Sequence, residues 1–459
     1  MAQILSALLE HWLTSATLAG IDLEQLTRDR QTYQSQCQGI TCPQVLIVTD
    51  KPEVLIAALI TVWEAQGSLF LGNPHWQSQE WQQVFKVIQG DLILGDLPDA
   101  AHSLAVLTPA IAVRCSGYLY LLTGGSSGNI KFAAHTLETL TASIQGMQTY
   151  FQESNIHSFG CLPLGHVSGL MPLLRSWLTG GDFTFFPYQR LKHQPPTQDY
   201  SQYFLSLVPT QLQFLLDHFP QWLQQFKVIL LGGAPAWPSL LEQARQAHLN
   251  LAPTYGMTET ASQVATLKPQ DFQRHREGVG QVLPQAVIRI VNDQGQALAN
   301  NEVGLIEIQS KSLFLGYYPQ IQPMEVFGPG DLGSMDSQGY LQVVGRHSQL
   351  IITGGEKVLP AEVEGVILQS GMVQDVVILG RGDRHWGEVV VALYVPYPNF
   401  QLTVLQDYLK QRLAAYKCPK YWQPMEKIPR SPAGKVNYAQ LQASLTAMDF
   451  KMDFNLDTI

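Results

Sequence analysis

The chain has 459 residues, which is enough for two or three domains with sizeable cores. Its hydrophobic fraction of 46% and charged fraction of 14% are typical of a globular protein and exclude a disordered one. The formal net charge of −9 argues against a nucleic-acid-binding surface, which is usually basic. A nucleotide ligand is not excluded, because one loop and one metal ion can hold a triphosphate locally.

The cysteines and the apolar segments indicate the cellular compartment of the protein. The five cysteines lie far apart, except for Cys37 and Cys42, and no second pair has the spacing of a zinc site. This pattern predicts reduced thiols in a reducing compartment. The N-terminus lacks a basic-then-apolar signal sequence, and the longest apolar run, residues 54–63, is too short to cross a bilayer. We therefore expect a cytoplasmic protein without a transmembrane segment.

The first part of the chain alternates between helical and strand-like patterns. Apolar residues at helical spacing predict a surface helix over residues 3–17. Short apolar runs predict strands at 45–48, 68–71 and 91–94, and the segment 52–65 predicts a helix between the first two. Strands that alternate with helices form parallel sheets with crossover helices. The sequence therefore predicts an α/β fold with parallel-rich sheets in a large N-terminal domain.

Further strand-like runs each end in a loop rich in glycine, proline or threonine. These runs are at residues 118–122, 159–162, 204–208 and 228–231. In open α/β sheets, ligands bind beyond the carboxyl ends of the strands. We expect the polar loops to converge on one crevice.

Two changes of pattern divide the rest of the chain. Over about residues 280–345, alternating runs separated by Asp-Gln-Gly and Ser-Gln-Gly turns predict a β-meander or a small β-barrel-like region. From Ser348 onward the segments are shorter and helices mix with strands, which predicts a smaller α+β domain. The predicted domains are therefore residues 1–347 and 348–444, with a tail over 445–459.

Residues 121–131, Leu-Leu-Thr-Gly-Gly-Ser-Ser-Gly-Asn-Ile-Lys, have the composition of an anion-binding loop. Glycines let the backbone approach an anion closely, loop amides can point at phosphate oxygens, and Lys131 adds a compact positive charge. The order of residues differs from the P-loop consensus, since Asn129 and Ile130 separate the last glycine from the lysine. Taken alone, such a segment is more often an ordinary turn than a phosphate site.

Four more stretches follow in the order of the motifs of a known superfamily. They are Pro163-Leu-Gly-His166, Tyr255-Gly-Met-Thr-Glu259, Gly330-Asp-Leu-Gly333 with Gly345-Arg346, and Pro429-Arg-Ser-Pro-Ala-Gly-Lys435. Together with the glycine loop, they resemble the adenylate-forming superfamily, which includes acyl- and aryl-CoA synthetases, peptide-synthetase adenylation domains and luciferases. The resemblance covers roughly residues 110–440, and five ordered motifs argue against coincidence.

The resemblance implies a set of nucleotide-binding roles. The residues concerned are Thr123, Ser126, Ser127 and Lys131 at the β- and γ-phosphates, Thr258 at the α-phosphate, Tyr255 at adenine, Asp331 and Arg346 at the ribose, and Gly232 and Gly233 beside the nucleotide. Glu259 would bind Mg²⁺, which favours one or two carboxylates together with phosphate oxygens. The ordinary interpretation of Glu259 is a solvated carboxylate at a helix start, and that of Asp331 and Arg346 is a pair of surface charges.

The glycine loop and the hinge depart from the superfamily pattern. Gly124, Ser127 and Ile130 stand where the superfamily usually has Ser, Thr and Pro. Without the proline the loop should be more mobile, although no hydrogen-bond donor is lost. The hinge position falls on Ser348, and the neighbouring Gln349 replaces a frequent Asp, which changes the electrostatics expected at the hinge.

Another group of residues is assigned to the acid substrate. By resemblance, His166 would form a wall of the acid pocket and join the catalytic set, although a lone histidine after a strand is as often a packing residue. Ser262 and Gln263, one helical turn after Glu259, could face the acid. Arg175 is a further candidate, for which a charge on a helix surface is the more ordinary interpretation.

The last assignments concern the smaller domain, which the resemblance implies is mobile. Lys435 would cross into the site as the adenylation catalyst, although an isolated lysine is mostly a solvated surface charge. Gly354 and Gly355 would line a pantetheine channel for CoA in the thioester step, and a plain tight turn is the alternative.

These assignments imply an ATP-dependent ligase that activates an aryl or acyl acid as an acyl-adenylate, with Mg²⁺, and transfers it to CoA. One alternative is an adenylation enzyme that loads its acid onto a separate carrier protein. Another is a nucleotide-binding protein without catalysis, suggested by the altered glycine loop and Gln349. The expected partners are small molecules and not nucleic acids, and a homodimer is left open.

Overall fold

A computed structural model describes residues 2–102, 117–124, 130–430 and 436–447. Three predicted site residues, Ser126, Ser127 and Lys435, lie outside the described residues. Within the described ranges, none of the helices combines the length and the apolar character needed to cross a membrane.

The helices of the described residues are mostly short and flank the sheets. The α-helices are α1 (Ala2–Ser15), α2 (Leu23–Cys37), α3 (Pro52–Glu64), α4 (Ser78–Val87), α5 (Asp99–His102), α6 (Leu137–Phe151), α7 (Val167–Thr179), α8 (Tyr188–Leu191), α9 (Pro209–His218), α10 (Pro220–Leu223), α11 (Pro238–Gln246), α12 (Pro269–Gln273), α13 (Pro360–Gln369), α14 (Leu402–Lys410) and α15 (Tyr438–Ala447). Single 3₁₀ turns cover Thr258–Thr260, His347–Gln349 and Ala415–Lys417.

The strands form four sheets. They are β1 (Leu18–Ala19), β2 (Gln44–Val48), β3 (Ser68–Gly72), β4 (Leu92–Gly95), β5 (Leu119–Gly124), β6 (Ile130–His135), β7 (His157–Gly160), β8 (Phe183–Phe185), β9 (Tyr203–Leu207), β10 (Val228–Leu231), β11 (Leu251–Met257), β12 (Ser262–Thr266), β13 (Gln281–Val282), β14 (Ala286–Val291), β15 (Gly304–Ser310), β16 (Tyr317–Tyr318), β17 (Asp331–Met335), β18 (Leu341–Arg346), β19 (Ile351–Thr353), β20 (Glu356–Val358), β21 (Val373–Asp383), β22 (Gly387–Pro396) and β23 (Tyr421–Pro424).

The first sheet has six strands in the order β16-β6-β5-β3-β2-β4. Strands β2, β3, β4 and β5 pair in parallel, as the alternation of strands and helices predicts, whereas β6 and β16 pair antiparallel at one edge. Every residue of β2 and β3 is buried, and α3, which connects them, is buried along almost its whole length. Strands covered on both faces appear as continuous apolar runs, which is why the sequence reveals them.

The second sheet has eight strands in the order β1-β8-β7-β9-β10-β11-β12-β13. The first six are parallel, and β12 and β13 continue the sheet in antiparallel orientation. One hydrophobic core joins both sheets through α3 and α7, with buried members such as Ile47, Leu59, Leu173 and Phe204. The expected α/β fold of the large domain is confirmed.

The region expected to be β-rich contains a four-stranded antiparallel sheet in the order β14-β15-β17-β18. Its alternating strands place Ile288, Ile306 and Ile308 in a separate small core and leave the intervening side chains nearer to solvent. This alternation is the pattern that made the region recognisable in the sequence.

The C-terminal segments form the smaller α+β domain. Strands β19 to β23 make a five-stranded sheet, which α13, α14 and α15 accompany. Helix α13 lies against α11 and β18 of the large domain. The expected tail begins too early, because residues 445–447 belong to α15 and Leu445 packs with Leu441 and Leu379 in the core of this domain.

The chain after Glu259 does not continue as a helix, which corrects the expected placement of Ser262 and Gln263. A 3₁₀ turn over Thr258–Thr260 reverses the chain, and both residues lie on β12, antiparallel to β11. The reversal requires φ values of 53° at Ala261 and 125° at Ser262, both in the left-handed region that favours glycine. Such local strain is typical of functional sites.

Gly256 allows the two strands of this reversal to approach each other. A Cβ atom at this position would lie 2.1 Å from the carbonyl oxygen of Ser262 and 2.5 Å from Cα of Gln263. We predict that Gly256→Ala forces the strands apart and lowers the free energy of unfolding by about 1–3 kcal/mol, as measured by urea denaturation. Gly328→Ala is the control, because its added Cβ would meet no atom within 4 Å. Equal stability of the two variants would contradict the prediction.

Candidate active site

The two ends of the glycine loop belong to a β-hairpin. Thr123 lies near the end of β5, Lys131 lies near the start of β6, and the two residues are direct partners in the antiparallel pairing of these strands. Direct partners in an antiparallel pair have side chains on the same face, so the hydroxyl and the ammonium group flank the loop together. The sequence predicts a strand only before the loop, because β6, with Lys131 and His135, lacks a continuous apolar run.

The carboxylate of Glu259 contacts this hairpin through Thr123. Its Oε1 atom accepts hydrogen bonds from the Thr123 hydroxyl at 3.0 Å and from the Tyr317 hydroxyl at 2.8 Å. The side chain is buried, which rules out the solvated carboxylate that the sequence left as an alternative. Burial, and then the negative charge of Glu259, raise the pKa of Tyr317, so the phenol stays protonated and donates.

His135 forms a hydrogen bond with the main chain of Thr258, at the start of the same turn. Its Nε2 atom lies 2.8 Å from the carbonyl oxygen of Thr258, and its Nδ1 atom lies 3.0 Å from the Thr139 hydroxyl. A carbonyl oxygen can only accept, so Nε2 carries the proton. Burial lowers the pKa of His135 to about 4, which keeps the imidazole neutral near pH 7.

A second acidic group, Asp331, is the residue that the resemblance assigns to the ribose. Tyr255 donates to its Oδ2 atom at 2.6 Å, and Nε of Arg346 lies 2.7 Å from its Oδ1 atom. Strand pairing accounts for the ion pair, because Asp331 on β17 is the direct partner of Arg346 on β18. Asp331 is buried, so these are not the separate surface charges of the ordinary interpretation.

The interpretation of Arg175 as a charge on a helix surface is wrong. The residue belongs to α7, and its side chain is buried. One terminal nitrogen donates to the Ser262 hydroxyl at 2.8 Å and to Oε1 of Gln263 at 2.7 Å. Burial lowers the pKa of Arg175 to about 10, so the group remains cationic near neutral pH. Nε of Arg175 and Nε2 of Gln263 are buried and have no hydrogen-bond partner among the described residues.

Three other predicted residues occupy loops at the ends of strands. His166 is the N-cap residue of α7, the helix that carries Arg175, and is partly exposed. Gly232 and Gly233 follow β10, which pairs in parallel with β11 next to Tyr255. A Cβ atom on Gly232 would lie 2.5 Å from the Thr254 hydroxyl, so this loop passes close to β11.

The predicted residues of the smaller domain lie on its first hairpin and at its entry. Ser348 belongs to the 3₁₀ turn between β18 and β19. Gly354 and Gly355 form the turn between β19 and β20, with φ values of 59° and 86°. The amide of Gly354 donates to the carbonyl oxygen of Trp386 at 2.8 Å, and a Cβ atom there would collide with the indole ring.

Lys435 itself lies outside the described residues, but the helix that follows it does not. Burial raises the pKa of Tyr438, at the start of α15, and the side chains of Gln349 and Arg346 oppose this shift. Gln349 is the position at which the sequence departs from the superfamily pattern. Its side chain therefore lies near the start of the helix that follows Lys435.

Sequence reasoning missed Tyr317 and His135. Both contact the turn that carries Thr258 and Glu259, and neither belongs to the five motifs. Each is an ordinary residue of a short strand in the sequence, and no local pattern marks it. Only the pairing of β6 with β5 and with β16 brings them to the turn.

The fold, a large α/β domain with a smaller α+β domain beside it, is that of an enzyme of the adenylate-forming class. A family model of AMP-binding enzymes matches residues 108–318, and a model of the C-terminal domain of AMP-binding enzymes matches residues 362–435. The chain belongs to the AMP-binding enzyme family.

The similar proteins point to one activity. The 2-succinylbenzoate–CoA ligase of Enterococcus faecalis is 30% identical over 433 residues, which cover 87% of this chain and 88% of the relative. The ligase of the same name from Bacillus subtilis is 34% identical over 394 residues, covering 83% and 79%. The o-succinylbenzoate CoA synthetase (MenE) of Bacillus subtilis, solved with the acyl-adenylate intermediate OSB-AMP, superposes with a TM-score of 0.83 at 25% identity, covering 97% and 99%.

The buried imidazole of His135 yields a prediction about pH. Its pKa of about 4 is below that of an unfolded histidine, so its contribution to stability is complete above about pH 6.5 and decreases as the pH falls towards 4. Between these values, the free energy of unfolding should fall by at most about 1.4 kcal/mol per pH unit more in the native protein than in His135→Gln. Urea denaturation at several pH values measures both slopes, and equal slopes would refute the assignment.

Proposed function

We propose that this protein is an AMP-forming acid–CoA ligase that activates o-succinylbenzoate and transfers it to CoA, in the biosynthesis of menaquinone or phylloquinone. The relatives with that activity match most of the chain. Three stretches also resemble O-succinylbenzoate–CoA ligases, namely residues 206–211, 230–235 and 255–263. The observation that carries the proposal is the convergence of Thr123, Lys131 and Glu259 at the glycine loop.

The residues at this loop fit a magnesium ion that is bound together with a nucleotide. No group of three or more His, Cys, Asp or Glu side chains in the described ranges could hold a metal without help. Mg²⁺ commonly uses one or two carboxylates and completes its coordination with phosphate oxygens and water. Glu259 would hold the ion, and the ion would neutralise charge on the phosphates.

The first half-reaction joins the acid to AMP. A carboxylate oxygen of the acid attacks the α-phosphorus of ATP, a new P–O bond forms, and the bond to the bridging oxygen breaks with release of pyrophosphate. Thr123 and Lys131 would hold the departing phosphates, and Asp331 would accept the ribose hydroxyls. Lys435 would stabilise the charge shared between the acid and the α-phosphate. Positioning and charge stabilisation supply most of the catalysis in such transfers.

The second half-reaction forms the thioester. The smaller domain would turn about Ser348 and withdraw Lys435, and the Gly354–Gly355 turn would line the pantetheine channel. The CoA thiol then attacks the acyl carbonyl and gives up its proton to solvent, a C–S bond forms, and AMP leaves with the electrons of the C–O bond. A closed site would protect the acyl-adenylate from water until that attack.

The buried guanidinium of Arg175 supports an acid with a second carboxylate. In o-succinylbenzoate, the succinyl carboxylate would be activated, and the ring carboxylate would need separate recognition. A buried guanidinium that touches only neutral groups in the described residues is costly unless an anion joins it. The unpartnered donors of Arg175 and Gln263 match the lone pairs of a carboxylate.

The domain limits, compartment and oligomeric state remain predictions. We propose a hinge at Ser348, which would join residues 1–347 to a mobile smaller domain that extends at least to the end of α15 at Ala447. The described cysteines, Cys37, Cys42, Cys161 and Cys418, are free thiols, which supports a reducing compartment such as the cytoplasm. A homodimer stays a prediction.

Two alternatives differ in the acceptor or in activity. An enzyme that loads a carrier protein would use the same adenylation site and prefer a carrier to free CoA in a direct comparison. A nucleotide-binding protein without catalysis would bind ATP but release no AMP with any aryl acid. The buried carboxylates of Asp331, which pairs with Arg346, and of Glu259 favour an active site.

The proposed role of Lys435 is testable by separating the half-reactions. In Lys435→Ala, exchange of pyrophosphate into ATP should fall by about 100-fold or more, because charge in the transition state is no longer stabilised. Formation of the thioester from preformed acyl-adenylate should persist. Lys427→Ala, an exposed lysine of the same domain, is the control. Equal loss in both half-reactions would refute the role.

The role of Arg175 is testable with two acids. Arg175→Met keeps much of the volume and removes the charge, so kcat/KM for o-succinylbenzoate should fall by about 100-fold. The analogue 4-oxo-4-phenylbutanoate, which lacks the ring carboxylate, should be affected far less, and KM for ATP should stay unchanged. A thermal melt checks that the variant folds. An equal loss for both acids would overturn the assignment.

A further inference from the structure

Tyr317 contacts two groups of the phosphate site at once. Its hydroxyl donates to Oε1 of Glu259 at 2.8 Å, and the Nζ atom of Lys131 lies 5.1 Å from the centre of its ring. A cation within about 6 Å of an aromatic ring is attracted to the negative face of the ring. One side chain therefore touches both the carboxylate and the lysine assigned to the triphosphate.

The hydrogen bonds to Glu259 are unequal between its two oxygens. Thr123 and Tyr317 both donate to Oε1, at 3.0 Å and 2.8 Å. The other oxygen, Oε2, accepts no hydrogen bond from the described residues. Two donors from different strands fix the orientation of the carboxylate, and Oε2 is left for a ligand.

The backbone around Tyr317 is itself attached to Glu259. The amide of Phe314 donates to the carbonyl oxygen of Glu259 at 2.8 Å, and the rings of Phe314 and Tyr317 pack edge to face at 4.8 Å. Strand β16 pairs with β6, where Tyr317 is the partner of Ala133. The segment 314–317 thus holds Glu259 by its main chain and by its side chain.

We propose that Tyr317 is a positioning residue that couples the metal-binding carboxylate to the phosphate-binding lysine. Its hydroxyl orients Glu259 so that Oε2 faces a nucleotide-bound divalent cation, and its ring holds the Lys131 ammonium over the same phosphates. The proposal rests on the proposed nucleotide site. It assigns separate tasks to the two halves of one side chain, which makes them separable by substitution.

The test measures the binding of Mn²⁺·ATP to the full-length protein. Calorimetry gives the affinity for ATP, and the paramagnetic resonance signal of Mn²⁺ gives the metal occupancy. Tyr317→Phe removes only the hydroxyl and should raise the Mn²⁺ concentration for half-saturation about 10-fold, as loss of a partner of a metal ligand typically does. Affinity for ATP at saturating Mn²⁺ should change little. Tyr317→Leu also removes the ring and should weaken ATP binding at saturating Mn²⁺ as well.

Two comparisons decide the outcome. Tyr318→Phe removes a neighbouring hydroxyl, which accepts from the amide of Gln89, and should leave the Mn²⁺ dependence unchanged. In Tyr317→Leu, the further substitution Lys131→Met should cost less ATP affinity than it does in the native protein. If Tyr317→Phe binds Mn²⁺ like the native protein, or if the effect of Lys131→Met is the same in both, the proposal is wrong.

The readout also separates this proposal from the function it rests on. Binding of Mn²⁺·ATP needs no acid, so the role of Tyr317 can fail while native protein still forms acyl-adenylate. If native protein binds no nucleotide, the proposed function fails first, and the role of Tyr317 fails with it. Thermal melts of each variant show whether a loss of affinity reflects unfolding.

Discussion

The site depends on a buried carboxylate that two neutral hydroxyls hold. Glu259 receives hydrogen bonds from Thr123 and Tyr317, and no cationic side chain of the described residues forms an ion pair with it. Burying an ionised group without a partner of opposite charge is costly, so such a group is normally completed by a ligand. The strained turn after Glu259 and the close approach at Gly256 are the structural means of placing it there.

The three buried charges of the crevice follow one electrostatic logic. Asp331 is neutralised within the protein by Arg346, so it can accept hydrogen bonds without requiring an added cation. Glu259 and Arg175 have only neutral partners in the described residues. Glu259 therefore lacks a cationic partner, and Arg175 lacks an anionic partner. In the proposed ligase, a metal-bound nucleotide would supply the cation beside Glu259, and the ring carboxylate of the acid would supply the anion beside Arg175.

The smaller domain packs against the large domain through α13, which lies against α11 and β18. Strand β18 ends at Arg346, the ion-pair partner of Asp331, so the contact between the domains involves the strand that carries this partner. Gln349, at which the sequence departs from the superfamily pattern, follows in the 3₁₀ turn between β18 and β19.

The sequence by itself determined the α/β class, the order of the segments and the motif residues, because strands covered on both faces and glycine-rich turns leave local patterns. It could not determine which side chains meet. Arg175 and Ser262 are 87 positions apart, and Tyr317 and Glu259 are 58 apart, so no local pattern relates them. The sequence pattern also predicts a helix after Glu259, whereas pairing with β11 makes this segment a strand. Only tertiary structure decided these points, since burial and strand pairing between distant segments fix which charges lack a partner.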